Sequence, residues 1–319
     1  MSAARATRSA RLRALAKINL DLRVLARRAD GYHELRTIFQ TISLADRLEI
    51  AFTPGRKSSI ELAGDHIPNN LVVRAAQAVM DTLRRAGRVE MRLDKRIPMG
   101  AGLGGGSSDA AAVLLALPVL AGGEVGLAEL CRMGRELGSD VPFFLLGGTA
   151  VGVGRGTELF PLPDAAPREG VLAAPGIHVS TAEAYALLSP SLTTELQENK
   201  IVSFQSQAWE WGSRSPAVND FEPVVFQRHA QLARLKKRLE RAGAVSAMMT
   251  GSGSAVFGLY RTAEEASRAM ASLREGEMAG GKGFRFSLVN RARYRSIWRR
   301  ALDEHLGANV WPLRSRYLR

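Results

Sequence analysis

The stretch IPMGAGLGGGSSDAAA, Ile97 to Ala112, gathers residue types that can grip an anion. Five of the seven residues from Gly100 to Gly106 are glycine. Glycine loses the most conformational freedom on folding, so such a run is costly unless the backbone must take shapes that other residues forbid. Wrapping main-chain N–H groups around phosphate oxygens is such a demand. The alanine-rich segment that follows reads as a helix, and its unpaired first N–H groups and positive dipole end favour the same anion. Ser107 and Ser108 add hydroxyls for a phosphate or a magnesium shell. Asp109, in the first turn, can serve that metal through water or simply complement the helix N-terminus.

Other glycine motifs compete for the same residues. A P-loop needs Lys-Ser/Thr after its last glycine, and no lysine precedes Ser107. Gly100, Gly102 and Gly105 fit the dinucleotide fingerprint, with Glu124 where a ribose-binding acid would stand. That fingerprint follows a buried parallel strand, whereas MRLDKRIPM is amphipathic and broken by proline. A plain glycine turn between strand and helix is the remaining alternative.

The elements around the loop follow from periodicity. KINLDLRVL (17–25) alternates, Ile18, Leu20, Leu22 and Val24 against Lys17, Asn19, Asp21 and Arg23, which predicts a half-buried strand. DRLEIAF and SSIELAG are strand candidates divided by the turn signal TPGRK. Asn69 or Asn70 caps a helix LVVRAAQAVMDTLRRAG, and VEMRLDKRI leads into the glycine run. SSDAAAVLLALPVL is a helix closed near Pro118, and LAELCRMGRELG a second one ending at Gly138. PLPDAAPREG carries three prolines in ten residues, which marks a domain boundary. Beyond it the pattern gives strand VLAAP, helix TAEAYALL, a polar stretch from Ser189 to Asn219, helix RHAQLARLKKRLERAG, strands AVSAMMT and SAVFGLY, helix TAEEASRAMASLRE and strand FRFSLVN. This alternation predicts an α+β layer of the split βαβ kind.

Composition bounds the rest. A chain of 319 residues with 46% hydrophobic and 24% charged residues is that of a soluble globular protein of about two domains. No run of about 18 apolar residues offers a membrane span. The single cysteine, Cys131, excludes an internal disulfide and a cysteine-rich metal site, and reads as a buried small hydrophobe on a helix. A cytoplasmic location is expected. The net charge of +13 can signal nucleic acid or small polyanions. The excess sits mainly in an arginine-rich start and an arginine-rich end, read as appendages, so no nucleic-acid partner is expected. Residues 1–13 are expected to be a flexible basic arm, 14–165 and 166–292 two domains, and 293–319 a basic tail.

PMGAGLGGGSSDAAA resembles the phosphate-binding motif of the GHMP small-molecule kinases, the family of galactokinase, homoserine kinase and mevalonate kinase. A lysine-bearing first strand, AKINLDLRV, and a late glycine loop, MMTGSGSAVFGLY, agree with it. RADGYHEL, GSDVPFFLLGGTAVGVGRGTEL and NDFEPVV narrow the resemblance to members that phosphorylate a diphosphocytidyl-linked alcohol. It runs from about Ala14 to Asn290. The resemblance implies a two-domain GHMP kinase fold, with an N-terminal domain like ribosomal protein S5 and a C-terminal ferredoxin-like split βαβ domain. ATP as co-substrate, Mg2+ and a small-molecule substrate would meet in the cleft between them. The γ-phosphoryl group would pass to the 2-hydroxyl of a methylerythritol moiety, a step of the non-mevalonate isoprenoid precursor pathway. Another GHMP kinase, of homoserine or mevalonate type, is the alternative within the class, and a basic nucleic-acid-binding protein or a dinucleotide oxidoreductase outside it. Oligomeric state stays open between monomer and weak dimer.

By the same resemblance, ATP binds on Pro98, Met99, Gly100, Ala101 and Gly102, then Leu103, Gly104, Gly105 and Gly106, then Ser107 and Ser108. Asp140, a charge beside the apolar VPFF and so costly to bury unpaired, is the catalytic base. Lys17 is its cationic partner. Asn19, on the same strand face as Lys17, binds the substrate diol or diphosphate. Tyr32 stacks on the cytosine, His33 hydrogen-bonds its edge, and Tyr185 covers its second face. Thr181 touches substrate phosphates. TGSGS, Thr250 to Ser254, completes the phosphate-side wall or makes a tight hairpin.

Overall fold

The alternating segment at Lys17 belongs to a strand far longer than its pattern suggests. In the computed structural model, which describes residues 6–64, 69–188, 204, 217–273, 278 and 280–306, β1 (Arg8–Arg27) pairs antiparallel along its whole length with β2 (His33–Pro54). The other edge of β2 is shared: β4 (Gly87–Asp94) takes its C-terminal half and β5 (Thr149–Gly154) its N-terminal half. β3 (Ser59–Ala63) adds to β4 in parallel, and β6 (Glu158–Pro161) adds to β5 in antiparallel. The turn TPGRK therefore does not close a hairpin between its flanking strands.

Four helices follow from this half: α1 (Leu71–Leu83), α2 (Gly105–Leu120), α3 (Leu127–Leu137) and α4 (Val141–Leu146). Asn70 caps α1, its side chain accepting from the Val72 amide at 3.0 Å. α2 is apolar all round and every residue from Ser108 to Leu120 is buried, as suits a helix enclosed by other elements. It continues through Pro118 rather than closing there.

The second half forms a four-stranded sheet in the order β10-β7-β9-β8, from β7 (Glu169–Ala174), β8 (Ser246–Met249), β9 (Val256–Tyr260) and β10 (Lys282–Ser287). All its pairings are antiparallel. α5 (Thr181–Leu188), α6 (Glu222–Arg228) and α7 (Ala230–Arg241) lie between β7 and β8 in the chain, and α8 (Ala263–Ser272) between β9 and β10. This is the expected ferredoxin-like split βαβ arrangement within an α+β, two-sheet fold.

Three expectations need correction. First, β1 is not half-buried: Lys17, Asn19, Asp21 and Arg23 are all buried. Ala14 and Leu15 face the first core, Ala16, Ile18 and Leu20 pack between the two sheets, and Leu22 and Val24 enter the core of the second half. Register shifts at Leu15/Lys17, Asn19/Asp21 and Val24/Ala26 turn the strand from one core to the next. Second, residues 8–13 are not a flexible arm but the start of β1. Ala10 and Leu12 enter the first core, and the arginines between them hide that period-two pattern. Residues 1–5 lie outside the described residues.

Third, residues 291–302 are not an appendage. They form α9 (Arg291–Leu302), capped by Asn290, whose side chain accepts from the Arg293 amide at 2.7 Å. Tyr294, Trp298 and Leu302, four apart, bury one stripe in the first core. The Tyr294 hydroxyl donates to the Phe144 carbonyl at the end of α4. Gly147 permits this approach, because a Cβ there would stand 2.2 Å from the Tyr294 ring. RSRYLR, at the chain end, lies outside the described residues. Among the described residues, no helix is long and apolar enough to cross a membrane.

Trp298→Ala should therefore cost about 3–5 kcal/mol of stability, as for other aromatic truncations in a core. Urea unfolding measures it, and a loss under about 1 kcal/mol would make α9 peripheral.

Candidate active site

A cleft of about 1160 Å³ opens between the two halves, with the glycine run as one wall. That exceeds the roughly 300–1,000 Å³ of a site for one drug-sized ligand and suits two substrates side by side. The loop is stitched down on both sides. The Lys17 amide donates to the Leu103 carbonyl at 3.0 Å, and the Ala255 amide to the Ala101 carbonyl at 3.3 Å. Ala101 and Leu103 bury their side chains between the sheets, which turns the glycines toward the cleft.

Two glycines are required for definite reasons. Gly102 has φ +78°, and a Cβ on it would lie 2.1 Å from the Thr250 carbonyl oxygen. Two backbones touch there, and nothing larger fits. Gly104 has φ +68° and caps α2, whose first amides have no acceptor within the helix. Those amides open toward the cleft at Gly105, Gly106 and Ser107.

Lys17 and Asp140 meet below this helix end, Nζ to Oδ2 at 3.6 Å. The lysine side chain is 4% exposed and the aspartate 30%, so the carboxylate faces the cleft and the ammonium lies behind it. Lys17 Nζ also donates to Asn19 Oδ1 at 2.8 Å, and Asn19 Nδ2 to Thr37 Oγ1 at 2.7 Å. Thr37 passes its own hydrogen to the Asp21 carbonyl at 2.7 Å. The Asn19 amide donates to Thr250 Oγ1 at 3.1 Å. Strand β1, strand β2 and the late glycine loop thus share one buried network. Asp140 opens α4 with no side-chain capping bond, so its carboxylate is directed to Lys17 and the cleft rather than to the helix end.

The serines divide. Ser107 lines the cleft. Ser108 does not reach it: its hydroxyl donates to the Leu15 carbonyl at 2.7 Å and its amide to Gly104 at 2.9 Å. The helix starts at Gly105, two residues before Ser107, and this rotates Ser108 into the core. Asp109 is likewise buried, with Oδ2 accepting from Lys95 Nζ at 2.7 Å and Oδ1 without a hydrogen-bond partner. Lys95 is clamped from its other side by the fully buried Asp46. Burial, opposed by Lys95 and reinforced by the Asp46 charge, pushes the Asp109 carboxyl up to about 7. Asp46 also accepts from the Ile97 amide at 2.8 Å, which fixes the chain just before the glycines.

At the opposite end of the cleft, His33 stacks on Tyr185 with centroids 4.5 Å apart and planes at 17°. Tyr185 meets Phe221 edge-on at 4.9 Å. Tyr32 is 50% exposed and carries the Arg155 guanidinium 3.3 Å above its ring. Tyr32 and Tyr185 both line the cleft, but one face of Tyr185 is already covered by His33. Burial, helped by the Arg27 charge, lowers the His33 pKa, so the imidazole is neutral at neutral pH. Burial and then the Asp140 charge raise the Tyr185 pKa, so its phenol keeps its proton. Thr181 is joined to Ser252 by a hydroxyl–hydroxyl bond of 3.0 Å.

Of the residues expected from sequence, Ser108 turns its hydroxyl away from the cleft, Ala101 and Leu103 bury their side chains between the sheets, and in TGSGS Gly251 and Ser252 line the cleft while Ser254 bonds the Ile177 carbonyl. Lys95, Asn70, Thr37, Phe221 and Arg155 also line the cleft and were not foreseen. Lys95 had the strongest available signal, a lysine two residues before Ile97 at the mouth of the glycine run. Thr37 and Arg155 gave none, because their places depend on the pairing of β2 with β5.

The two-sheet fold and this cleft define a class. Residues 70–148 match the model of the GHMP kinases N terminal domain and residues 206–276 that of the GHMP kinases C terminal domain. The homoserine kinase of Cytophaga hutchinsonii shares the fold at TM-score 0.66 with 17% identity, over 90% of this chain and 96% of that one. At finer grain, the 4-diphosphocytidyl-2-C-methyl-D-erythritol kinase of Solibacter usitatus (strain Ellin6076) is 64% identical over 316 residues, 98% of each chain. The enzyme of that name from Pelotomaculum thermopropionicum is 43% identical, over 82% of this chain and 92% of its own. A crystal structure of 4-(cytidine 5'-diphospho)-2C-methyl-D-erythritol kinase superposes at TM-score 0.72 with 39% identity, over 87% of this chain and 98% of that one. The chain belongs to the GHMP kinases, and within them to the family of 4-diphosphocytidyl-2-C-methyl-D-erythritol kinases.

Gly102→Ala tests the backbone contact that seats the loop. The added methyl must push the loop off Thr250, and ATP affinity should fall at least about tenfold, or 1.4 kcal/mol. Calorimetric titration with a non-hydrolysable ATP analogue measures it; unchanged affinity would mean the loop does not hold the nucleotide.

Proposed function

We propose that this protein transfers the γ-phosphoryl group of ATP to the 2-hydroxyl of 4-diphosphocytidyl-2-C-methyl-D-erythritol, releasing ADP and the 2-phosphate. The observation that carries the chemistry is the Lys17–Asp140 pair, 3.6 Å apart and next to the free amides that open α2. Phosphoryl transfer needs an acceptor held in line and charge neutralised, with little covalent work for the protein. One carboxylate, one ammonium and a ring of amides meet that need.

In this reading the triphosphate lies along the main chain from Pro98 to Ser107, its charge facing the N-terminus of α2. The base of the nucleotide takes the slot beside Asn70, Leu71 and Lys95, where amide and ammonium donors flank apolar walls. The diphosphocytidyl end takes the aromatic end. The neutral His33 imidazole offers one donor and one acceptor to a cytosine edge. Tyr185 offers a ring for stacking, which is worth about 1–3 kcal/mol per base; with His33 on one side, the base uses the other face or displaces the imidazole. Thr181 and Ser252 form a hydroxyl pair within reach of a diphosphate.

The acceptor alcohol then lies against Asp140. Its proton passes to the carboxylate as the alcohol oxygen bonds to the γ-phosphorus. The bond from that phosphorus to the β,γ-bridging oxygen breaks, and ADP leaves with the electron pair. Lys17 neutralises charge on the moving phosphoryl group beside the Asp140 carboxylate. Asn19 holds the Lys17 ammonium in place at 2.8 Å.

Magnesium fits the same corner. Ser107 lines it, and the buried Oδ1 of Asp109 has no other partner. Mg2+ is usually held by one or two protein oxygens plus substrate phosphates. When bound it would offset the negative charge of the β- and γ-phosphates.

Two measurements decide the reading. With γ-labelled ATP and a panel of 4-diphosphocytidyl-2-C-methyl-D-erythritol, homoserine and mevalonate, the label should appear in the cytidyl compound; transfer to homoserine or mevalonate instead would replace this function with theirs. Asp140→Ala should lower kcat by about 10²–10⁴, the usual worth of a general base, with a cooperative melt shifted down because the buried Lys17 ammonium loses its partner. Turnover near that of the unaltered protein would remove Asp140 as the base.

A further inference from the structure

The segment NDFEPVV, Asn219 to Val225, touches no substrate in the mechanism above, yet Asn219 is 2% exposed and uses its whole side chain. Its Nδ2 donates to the carbonyl of Met249 at 2.8 Å and to that of Gly251 at 2.9 Å. Those two carbonyls bracket Thr250. Its Oδ1 accepts from the Phe221 amide at 3.0 Å. Both amide hydrogens and the oxygen are therefore satisfied, and they grip the turn on either side of one residue.

The same segment is strapped to β1. The Leu22 amide donates to the Val218 carbonyl at 2.8 Å, and the Asp220 amide to the Leu22 carbonyl at 3.0 Å, a parallel bridge centred on Asn219. Asp220 Oδ2 accepts from the Val24 amide at 3.0 Å. Glu222, next in the motif, accepts from the Met249 amide at 2.8 Å and pairs with Lys236 at 2.6 Å. One short segment thus fixes β1 three residues past Asn19 and fixes the turn whose threonine reaches back to Asn19. Between them runs an unbroken series: Asn219 to the turn, Thr250 Oγ1 to the Asn19 amide at 3.1 Å, Asn19 Oδ1 to Lys17 Nζ at 2.8 Å, and Lys17 to Asp140 at 3.6 Å.

We infer that Asn219 is a positioning residue for phosphoryl transfer: by clamping Met249 and Gly251 it holds Thr250 against Asn19, and through Asn19 it aims Lys17 at Asp140. The inference rests on the phosphoryl-transfer reading given above. Its physical basis is the tolerance of the transfer step, where a misplacement of about 1 Å by a change remote from the chemistry can cost about 10²-fold. The slot at Asn70 and Lys95 lies on other elements, whereas Gly102 of the glycine loop rests on Thr250, so ATP binding should weaken less than the transfer step.

Asn219→Asp keeps the shape and the acceptor for Phe221 but sets a carboxylate against two carbonyl oxygens. The expected result is a kcat lowered by about 10–100-fold with a smaller rise, under about tenfold, in the KM for ATP, so that most of the loss falls on the transition state. Thr250→Val removes the hydroxyl through which the clamp acts. In a double-mutant cycle, Asn219→Asp with Thr250→Val should be no slower than the slower single variant, because both break one series. The Asn19 amide should lose hydrogen-exchange protection in Asn219→Asp, while amides of α1 keep theirs. A kcat within twofold of the unaltered protein, fully multiplicative losses in the cycle, or an unchanged Asn19 amide would each overturn the inference. Should Asn219→Asp fail to melt cooperatively, Asn219→Ser, too short to span both carbonyls, goes through the same cycle. Absence of any phosphoryl transfer by the unaltered protein would sink the functional reading instead, and the exchange measurement would still judge the clamp.

Discussion

Burying an ammonium and a set of amides on the middle of one strand is the constraint around which this molecule is organised. Lys17 and Asn19 lie on β1 where both faces are covered, so neither can fall back on water. A buried polar group without a partner costs roughly 1–3 kcal/mol, and more if charged. Every neighbour of β1 answers that demand. Thr37 comes from β2, Thr250 from the second sheet's turn, Asp140 from the start of α4. Carboxylate, threonines and lysine hold one geometry because none can leave without stranding another.

The glycine run is fitted to the same frame. Gly102 lets its backbone touch that of Thr250, and the Lys17 amide holds the Leu103 carbonyl, so the amides of the glycine run and the Asp140 carboxylate are set by shared contacts. Preorganised donors of this kind need not reorient when charge develops, which is where most electrostatic catalysis comes from. On the other side of the glycine run the Asp46–Lys95–Asp109 group repeats the principle: an ammonium between two buried carboxylates, one of which also pins the chain entering the loop.

How far sequence could see this differs from residue to residue. The glycine run, the strand at Lys17, most of the helices and the split βαβ half were legible from local pattern, since period and glycine spacing are local properties. The start of β1 was hidden by exposed arginines that pair with Glu49 and the Ser43 carbonyl, and α9 by an arginine-rich surface that masks the Tyr294, Trp298, Leu302 stripe. The fate of Ser108 turned on where α2 begins: two residues of helix at Gly105 and Gly106, poor helix formers, move its hydroxyl from the cleft to the Leu15 carbonyl. The stacking of His33 on Tyr185 joins residues 152 positions apart, and no periodicity encodes that.

By itself the sequence determined a glycine run at the head of a helix and an alternating strand carrying Lys17 and Asn19; the joining of that strand to Asp140 came from resemblance to a kinase family. The run, the helix and the strand follow from residue type and short spacing, which act before any long-range contact forms. Only the tertiary structure decided that Lys17 sits behind Asp140, that Asn219 holds the turn that holds Asn19, and that the tail helix belongs to the first core. Such pairings arise when two sheets close on one strand, and the buried polar groups then accept only the partners that this closure brings within hydrogen-bond reach.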